Sequence, residues 1–339
     1  MRLAIFDAHA FERPPLEAAN QAFGHELEFI EARLTERTAP LAAGFPAIAA
    51  FANDKLDAAT LTLLQAGGTR LIALRSAGFN HVDLLAAERL GLSVARVPAY
   101  SPHAVAEHAI ALLQALNRKI HRAHLRVREL DFSLDGLVGF DLYGKTAAVV
   151  GVGRIGEVMA RILTGFGCRV LLYDQQDRRD LARELGAEQC DLPRIYRESD
   201  VISLHVPLTP GTRHMIDEAA LATMKPGVLL VNTGRGALID TRALIGALKR
   251  RHLGGAALDV YEEEENVFFH DLSDQGLQDD TLARLLTFPN VLITAHQAFL
   301  THEALRNIAE TTLQNVVDFE AGRPLINRVG AERVRSERP

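Results

Sequence analysis

The stretch Gly151-Val152-Gly153-Arg154-Ile155-Gly156 decides the fold of this chain, because of what precedes and follows it. An apolar run at 146–150 predicts a β-strand before it, and apolar residues at helical spacing between 155 and 166 predict a helix after it. Glycines at these spacings allow a tight turn, close approach of a pyrophosphate to the backbone, and packing of helix against strand. Alone, the pattern also fits a plain glycine turn, but its flanking elements favour a dinucleotide-binding βαβ unit.

Further apolar runs after the glycine stretch extend this unit into a sheet. With helical patterns between the earlier runs, they are typical of parallel strands joined by crossover helices. The six runs are 146–150, 169–173, 201–206, 228–231, 255–260 and 291–294. Six such strands predict a doubly wound nucleotide-binding sheet.

The first hundred residues predict a second, smaller α/β domain. Short apolar runs alternate there with helical patterns, at 2–6, 26–30, 47–51, 71–74 and 93–97. A long helical pattern then covers 102 to about 130, and another covers 301–321. The pattern alone does not show which domain the last helix packs on.

Composition narrows the function classes. Of 339 residues, 37 are basic and 43 acidic, and this net charge of −6 argues against nucleic acid or an anionic membrane as the partner. Cys168 and Cys190 fit neither a metal-binding spacing nor a disulfide framework, and no His-Glu-x-x-His motif occurs, so we predict no metal. Because no targeting or spanning segment is visible, we expect a cytoplasmic protein.

The second run of the series ends at Asp174, 18 residues after the last motif glycine. A carboxylate there suits the ribose hydroxyls of adenosine and repels the extra phosphate of NADP, which favours NAD. Arg178 and Arg179 could instead accept that phosphate, although solvated helix residues are the simpler interpretation.

Polar side chains follow each of the last three strands. Arg235 comes after the first of them, Asp259 ends the next and His296 follows the last. Because ligands bind at the carboxyl edge of a doubly wound sheet, these groups are candidates for one site beside the cofactor.

Taken together, these motifs resemble the NAD-dependent D-2-hydroxyacid dehydrogenases over nearly the whole chain. The stretches that carry the resemblance are Ala73–Asn80, Val97–Pro102, Ala106–His108, 151–156, Asp200–His205, Asn232–Asp240, Asp259–Glu262, 266–280 and His296–Thr301. The resemblance implies a two-lobed enzyme, with a Rossmann NAD domain inserted into a smaller flavodoxin-like substrate domain. The implied boundaries are 1–100 and 300–330 for the substrate domain, 101–299 for the NAD domain and 331–339 for a polar tail.

The resemblance also implies a reaction and roles. NADH would reduce pyruvate to (R)-lactate, with His296 as the acid and base and Arg235 as the clamp on the substrate carboxylate. Glu264 would orient the histidine ring and favour its charged form, although Glu262–Glu265 could also be a solvated acidic run. The family register, five residues after Asp259, selects Glu264.

Other site residues are implied in the same way. Ala77 and Gly78 would offer backbone N–H groups to the substrate carboxylate, and Tyr100 and Phe299 would line its pocket. Cofactor contacts would come from Val105, Gly151, Gly153, Arg154, Ile155, Gly156, Asp174, Val206, Pro207, Thr233, Gly234, Arg235, Asp259, His296 and Ala298. The family implies a homodimer or homotetramer built through the NAD domains.

Two alternatives stay open. The substrate could be a bulkier 2-keto acid, such as phenylpyruvate or 2-ketoisocaproate. A different class is an NAD-sensing binding protein of the same fold, against which the joint presence of Arg235, Glu264 and His296 counts.

Overall fold

The structure is a computed structural model that describes residues 1–332, apart from the side chain of Asn266. The chain divides into two compact units, Met1–Ser101 with the chain from Phe299 onward, and Pro102–Ala298. Ser101 and Phe299, the first and last residues of the predicted NAD domain, therefore fall in the first unit. Of the predicted polar tail, residues 333–339 lie outside the described residues.

The first unit contains a five-stranded parallel sheet with the order β2-β1-β3-β4-β5. Its strands are β1 (Arg2–Ile5), β2 (Glu26–Phe29), β3 (Ala47–Ala50), β4 (Leu71–Leu74) and β5 (Ser93–Ala95). The helices between them are α1 (Arg13–Phe23), α2 (Ala58–Ala66) and α3 (Leu84–Arg89). This is the flavodoxin-like order, so the predicted fold class of this unit is confirmed.

The second unit contains a seven-stranded parallel sheet with the order β12-β11-β10-β9-β6-β7-β8. Its strands are β6 (Thr146–Val150), β7 (Arg169–Tyr173), β8 (Glu188–Gln189), β9 (Val201–Leu204), β10 (Leu229–Asn232), β11 (Gly255–Leu258) and β12 (Val291–Ile293). Its helices are α4 (Pro102–Asn117), α5 (Ile120–Arg128), α6 (Arg154–Gly165), α7 (Arg179–Leu185), α8 (Leu192–Glu198), α9 (Glu218–Thr223), α10 (Thr241–Lys249) and α11 (Asp280–Leu286). The order reverses beside β6, as in a Rossmann sheet, which confirms the predicted doubly wound fold.

The last helix, α12 (His302–Glu320), belongs to the first unit and packs on α1 and β4. Leu313 and Val316 on α12 lie in one apolar cluster with Leu3 and Ile5 of β1. The C-terminal segment therefore completes the core of the N-terminal unit. Within the described chain, every helix falls short of the length and apolarity that crossing a bilayer requires.

Two details of the second unit differ from the prediction. The sheet has a seventh strand, β8, whose two polar residues pair with β7 and give no apolar run to detect. The helix predicted from 102 to about 130 is two helices, because Lys119 adopts a left-handed backbone with φ 53°. Asn117 ends α4 by donating to the carbonyl of Phe140 at 2.7 Å and accepting from its N–H at 3.0 Å.

Candidate active site

The ends of three neighbouring strands bring the predicted catalytic residues to one edge of the second sheet. β10 pairs in parallel with β11, and β11 with β12, in a register that aligns Asn232 with Leu258 and Leu258 with Ile293. Adjacent strands lie about 4.8 Å apart, so the segments that follow these residues begin side by side. Those segments carry Arg235, Asp259 and His296.

His296 and Glu264 form a hydrogen-bonded pair. The imidazole Nδ1 lies 2.8 Å from Glu264 Oε1, and the side chains are 18% and 17% exposed. The other carboxylate oxygen, Oε2, accepts from the Tyr261 N–H at 3.1 Å, which fixes the carboxylate plane. With Nδ1–H donated to a carboxylate, Nε2 is the ring atom left to exchange a proton with a ligand.

The segment that carries His296 is held by Asp259, which is fully buried. Asp259 Oδ1 accepts from Thr294 Oγ1 at 2.6 Å and from the Gln297 N–H at 2.9 Å, while Oδ2 accepts from the Ala298 N–H at 2.8 Å. Through these bonds the carboxylate fixes His296 in a left-handed backbone, φ 52°. The sequence predicted Asp259 as a cofactor ligand and missed this structural role.

Asp259 is held in its ionised form. Burial alone would raise the pKa of this carboxyl, but hydrogen bonds from His108, Thr294 and the Ala298 and Gln297 backbone outweigh it and lower the pKa. His108 contributes from α4, with Nε2 3.4 Å from Asp259 Oδ1 and 3.1 Å from Thr294 Oγ1. His108 is thus hydrogen-bonded within the protein, as a structural histidine is expected to be.

Arg235 is presented by a turn that folds around the side chain of Asn232. Asn232 Nδ2 donates to the Arg235 carbonyl at 2.8 Å, and its Oδ1 accepts from the Gly234 N–H at 3.0 Å. The half-buried guanidinium donates to the Gly234 carbonyl, and no carboxylate of residues 102–298 pairs with it. Its charge is therefore available to an anionic ligand.

The glycine stretch has the geometry that a dinucleotide requires. Gly151 has φ 92°, and a Cβ there would lie 2.6 Å from the Val206 N, while a Cβ at Gly156 would lie 1.9 Å from the Gly151 O. Around Gly153, the residue before α6, a Cβ would meet nothing within 4 Å. Two glycines thus permit close packing, and the third leaves the backbone open at a helix N-terminus, where a pyrophosphate binds. The residues present therefore fit the cofactor.

Other predicted cofactor residues surround this helix start or follow neighbouring strands. Asp174 Oδ2 accepts from the Val152 N–H at 2.7 Å, so its carboxylate lies on the glycine turn. Val105 is buried on α4, and Pro207 follows β9. The hydroxyl of Thr233, directly after β10, is buried and has no hydrogen-bond partner among residues 1–332. This hydroxyl can therefore donate a hydrogen bond to a ligand or accept one from it.

The remaining predicted residues belong to the first unit. Ala77 and Gly78 follow β4, and within residues 1–332 their backbone N–H groups donate to no acceptor, while Arg96 Nη1 holds the Ala77 carbonyl at 2.7 Å. Phe299 lies in a group of aromatic rings. The centroid of its ring is 6.3 Å from that of Tyr100, 6.2 Å from that of Phe51 and 6.1 Å from that of Phe11. The sequence predicted Tyr100 and Phe299 but missed the two other phenylalanines of this group.

Comparison with known families identifies the class. Residues 110–298 match the model of the D-isomer specific 2-hydroxyacid dehydrogenase, NAD binding domain. The chain therefore belongs to the D-isomer specific 2-hydroxyacid dehydrogenase family, and its cofactor is NAD. The class expected from the sequence, an NAD-dependent oxidoreductase, is confirmed.

Particular members of the family are similar over their whole length. A D-lactate dehydrogenase of Escherichia coli is 52% identical over 329 residues, which cover 97% of this chain and all of that one. The apo structure of D-lactate dehydrogenase from Escherichia coli matches with a TM-score of 0.89 at 50% identity, over 97% of this chain and 100% of that chain. D-lactate dehydrogenase from Lactobacillus jensenii, solved with NAD⁺, matches with a TM-score of 0.81 at 32% identity over the same shares.

Proposed function

We propose that this chain is a D-lactate dehydrogenase that reduces pyruvate to (R)-lactate with NADH. The proposal is carried by the His296–Glu264 pair together with Arg235, whose guanidinium pairs with no carboxylate of residues 102–298. These residues follow the ends of neighbouring strands of an NAD-binding sheet. NADH, when bound, supplies the hydride that adds to the carbonyl carbon. The similarity to D-lactate dehydrogenases supports pyruvate as the acceptor.

Each catalytic side chain then has one task. Arg235 binds the substrate carboxylate by charge-assisted hydrogen bonds. His296 donates its Nε2 proton to the carbonyl oxygen during reduction and takes it back during oxidation. Glu264 holds the ring through Nδ1 and stabilises the imidazolium, since its carboxylate lies 2.8 Å away.

We assign the other substrate contacts to the residues of the first unit that the sequence predicted. Ala77 and Gly78 are further donors to the carboxylate, which is supported by the fact that their N–H groups donate to no acceptor within residues 1–332. Tyr100 and Phe299 contact the methyl group. Three rings already lie around Phe299, which favours a small substituent over the phenyl group of the bulkier alternative.

On the cofactor side, the glycine stretch binds the pyrophosphate and Asp174 binds the adenosine ribose. The remaining contacts are assigned to Val105, Arg154, Ile155, Val206, Pro207, Thr233, Gly234, Arg235, Asp259, His296 and Ala298. Arg179, which could have accepted a 2′-phosphate, is already paired with Asp177 and lowers the pKa of that carboxyl to about 2. This pairing supports NAD over NADP.

We also propose that the protein assembles through its NAD unit as a homodimer or homotetramer. No residue of α5 is buried, and the loop after it exposes Leu130, Phe132, Leu134 and Val138 by 68–83%. So much exposed apolar surface in one segment marks a protein interface. Light scattering on the purified protein tests this, and replacing Phe132 by Asp should reduce the mass to that of a monomer.

Both cysteines, Cys168 and Cys190, are free thiols, which supports the predicted cytoplasmic location. The activity is tested by measuring kcat/KM for NADH oxidation with pyruvate, 2-ketoisocaproate and phenylpyruvate. The proposal predicts that pyruvate gives the highest value. A preference for phenylpyruvate would establish the bulkier-substrate alternative, and NADH binding without turnover of any keto acid would indicate a sensor.

A further inference from the structure

The residues that follow Arg235 pair with a second segment of the NAD unit. His214 donates its N–H to the Ala237 carbonyl at 2.8 Å, and Ile216 donates to the Leu238 carbonyl at 3.0 Å. Ile216 and Ile239 form an isolated parallel bridge. The position of the turn that presents Arg235 therefore depends on where residues 214–216 are held.

The side chain of Glu262 joins these two segments. Its Oε1 lies 2.5 Å from His214 Nε2 and 3.3 Å from Arg213 Nη2, while its Oε2 accepts from Thr241 Oγ1 at 3.1 Å. Glu262 is only 15% exposed, so these bonds lie largely away from water. His214 has a left-handed backbone with φ 52°, a conformation that persists only where surrounding contacts enforce it.

The Arg235 turn also touches the backbone next to Glu262. A Cβ at Gly236 would lie 2.0 Å from the Tyr261 carbonyl carbon and 2.4 Å from the Glu262 N. Only glycine allows this approach, so the turn rests directly on residues 261–262. The same short stretch begins at Asp259, which holds the His296 segment, and ends at Glu264, which bonds the imidazole.

We propose that Glu262, with His214, is a positioning residue that sets Arg235 relative to His296. Three carboxylates of residues 259–264 then position the two catalytic side chains. Asp259 and Glu264 position His296, and Glu262 positions Arg235. The inference rests on the proposed function, because it takes Arg235 as the group that binds the substrate carboxylate.

The test is steady-state kinetics on Glu262→Gln. Glutamine keeps the size of the side chain but removes the charge that strengthens the bond to His214. A displaced Arg235 binds the carboxylate less well, so KM for pyruvate is expected to rise about tenfold, with a smaller fall in kcat. The Kd for NADH, measured by fluorescence, is expected to stay unchanged.

Two further variants sharpen the comparison. Glu263→Gln is the matched control, because Glu263 is the exposed neighbour and its side chain makes no hydrogen bond or ion pair within residues 1–332; its KM should equal that of the parent. His214→Gln removes the other partner and should reproduce the rise in KM. It also keeps the proposal testable if Glu262→Gln does not fold.

A double-mutant cycle with Arg235→Lys shows whether Glu262 acts through the arginine. Once the guanidinium is absent, Glu262→Gln should lower kcat/KM less than twofold, because coupled residues are not additive. An equal loss in both backgrounds would overturn the inference, as would a lower Tm with unchanged KM. If the parent reduces pyruvate but Glu262→Gln matches Glu263→Gln, only this inference fails; if the parent reduces no 2-keto acid, the proposed function fails.

Discussion

The two ends of the site, both in the seven-stranded sheet, are built in opposite ways. At the end of β6 the cofactor region is shaped by absent side chains, because a Cβ at Gly151 or Gly156 would collide with backbone atoms. At the ends of β10–β12 the catalytic region is shaped by carboxylates that hold backbone and ring nitrogens. The first region is specified within six consecutive residues, whereas the second depends on contacts between residues more than thirty positions apart.

A substitution in the catalytic region should abolish most of the activity and leave the fold and NADH binding intact. Replacing His296 by Asn removes the proton donor and should lower kcat for pyruvate reduction about 10³-fold, because general acid catalysis contributes 10²–10⁴. NADH binding, followed by fluorescence, should persist. The exposed His302→Asn serves as the control and should retain full activity. A loss of less than tenfold in His296→Asn would show that another group supplies the proton.

In the cofactor region, two glycines of one motif should have different effects when replaced by alanine, one on stability and the other on NADH binding. Gly156→Ala places a Cβ 1.9 Å from the Gly151 carbonyl oxygen, which backbone shifts must relieve, so we expect a loss of about 3 kcal/mol in the free energy of unfolding. Gly153→Ala meets nothing within 4 Å and should keep its Tm while binding NADH at least tenfold more weakly. Thermal melts and NADH titrations distinguish the two. Equal Tm values would contradict the packing argument.

The contact between Glu264 and His296 should be visible in the rate of pyruvate reduction. Glu264→Gln keeps the size of the side chain but removes the negative charge that lies 2.8 Å from His296 Nδ1, so the ring is held less firmly for proton transfer at Nε2. We expect kcat for pyruvate reduction to fall about 30-fold, while the Kd for NADH stays unchanged. The adjacent Glu265→Gln is the control, since this side chain is exposed. A kcat in Glu264→Gln equal to that of the parent would remove Glu264 from its assigned role.

The smallest effect is expected for cofactor choice. Asp174→Asn keeps an acceptor for the Val152 N–H but removes the negative charge that repels a 2′-phosphate. The ratio of kcat/KM for NADH to that for NADPH should fall about tenfold. A ratio unchanged from the parent would mean that the preference arises elsewhere in the site.

The sequence predicted the cofactor end better than the catalytic end, for a physical reason. A glycine turn between a strand and a helix is a local pattern, so its position and its chemistry were both readable. Glu264 stands among four consecutive glutamates, and only the three-dimensional arrangement shows that it contacts His296 while its neighbour Glu262 contacts His214. The register within the resemblance also points to Glu264, and the structure places the Glu264 carboxylate against His296.

Most strands were predicted because they are buried on both faces and so form continuous apolar runs. The exception, β8, has two polar residues at the sheet edge. The break between α4 and α5 was missed because it depends on Asn117 bonding to Phe140, a contact across 23 residues. The structural role of Asp259 was hidden for the same reason, since the partners that it holds in the His296 segment lie 35–39 residues further along the chain.

The most direct test of the central claim is the product itself. The purified protein is incubated with pyruvate and NADH, and the lactate formed is resolved on a chiral column and compared with the NAD⁺ produced. The account predicts (R)-lactate in a one-to-one ratio with NAD⁺. Formation of (S)-lactate, or no NADH consumption with pyruvate, would contradict it.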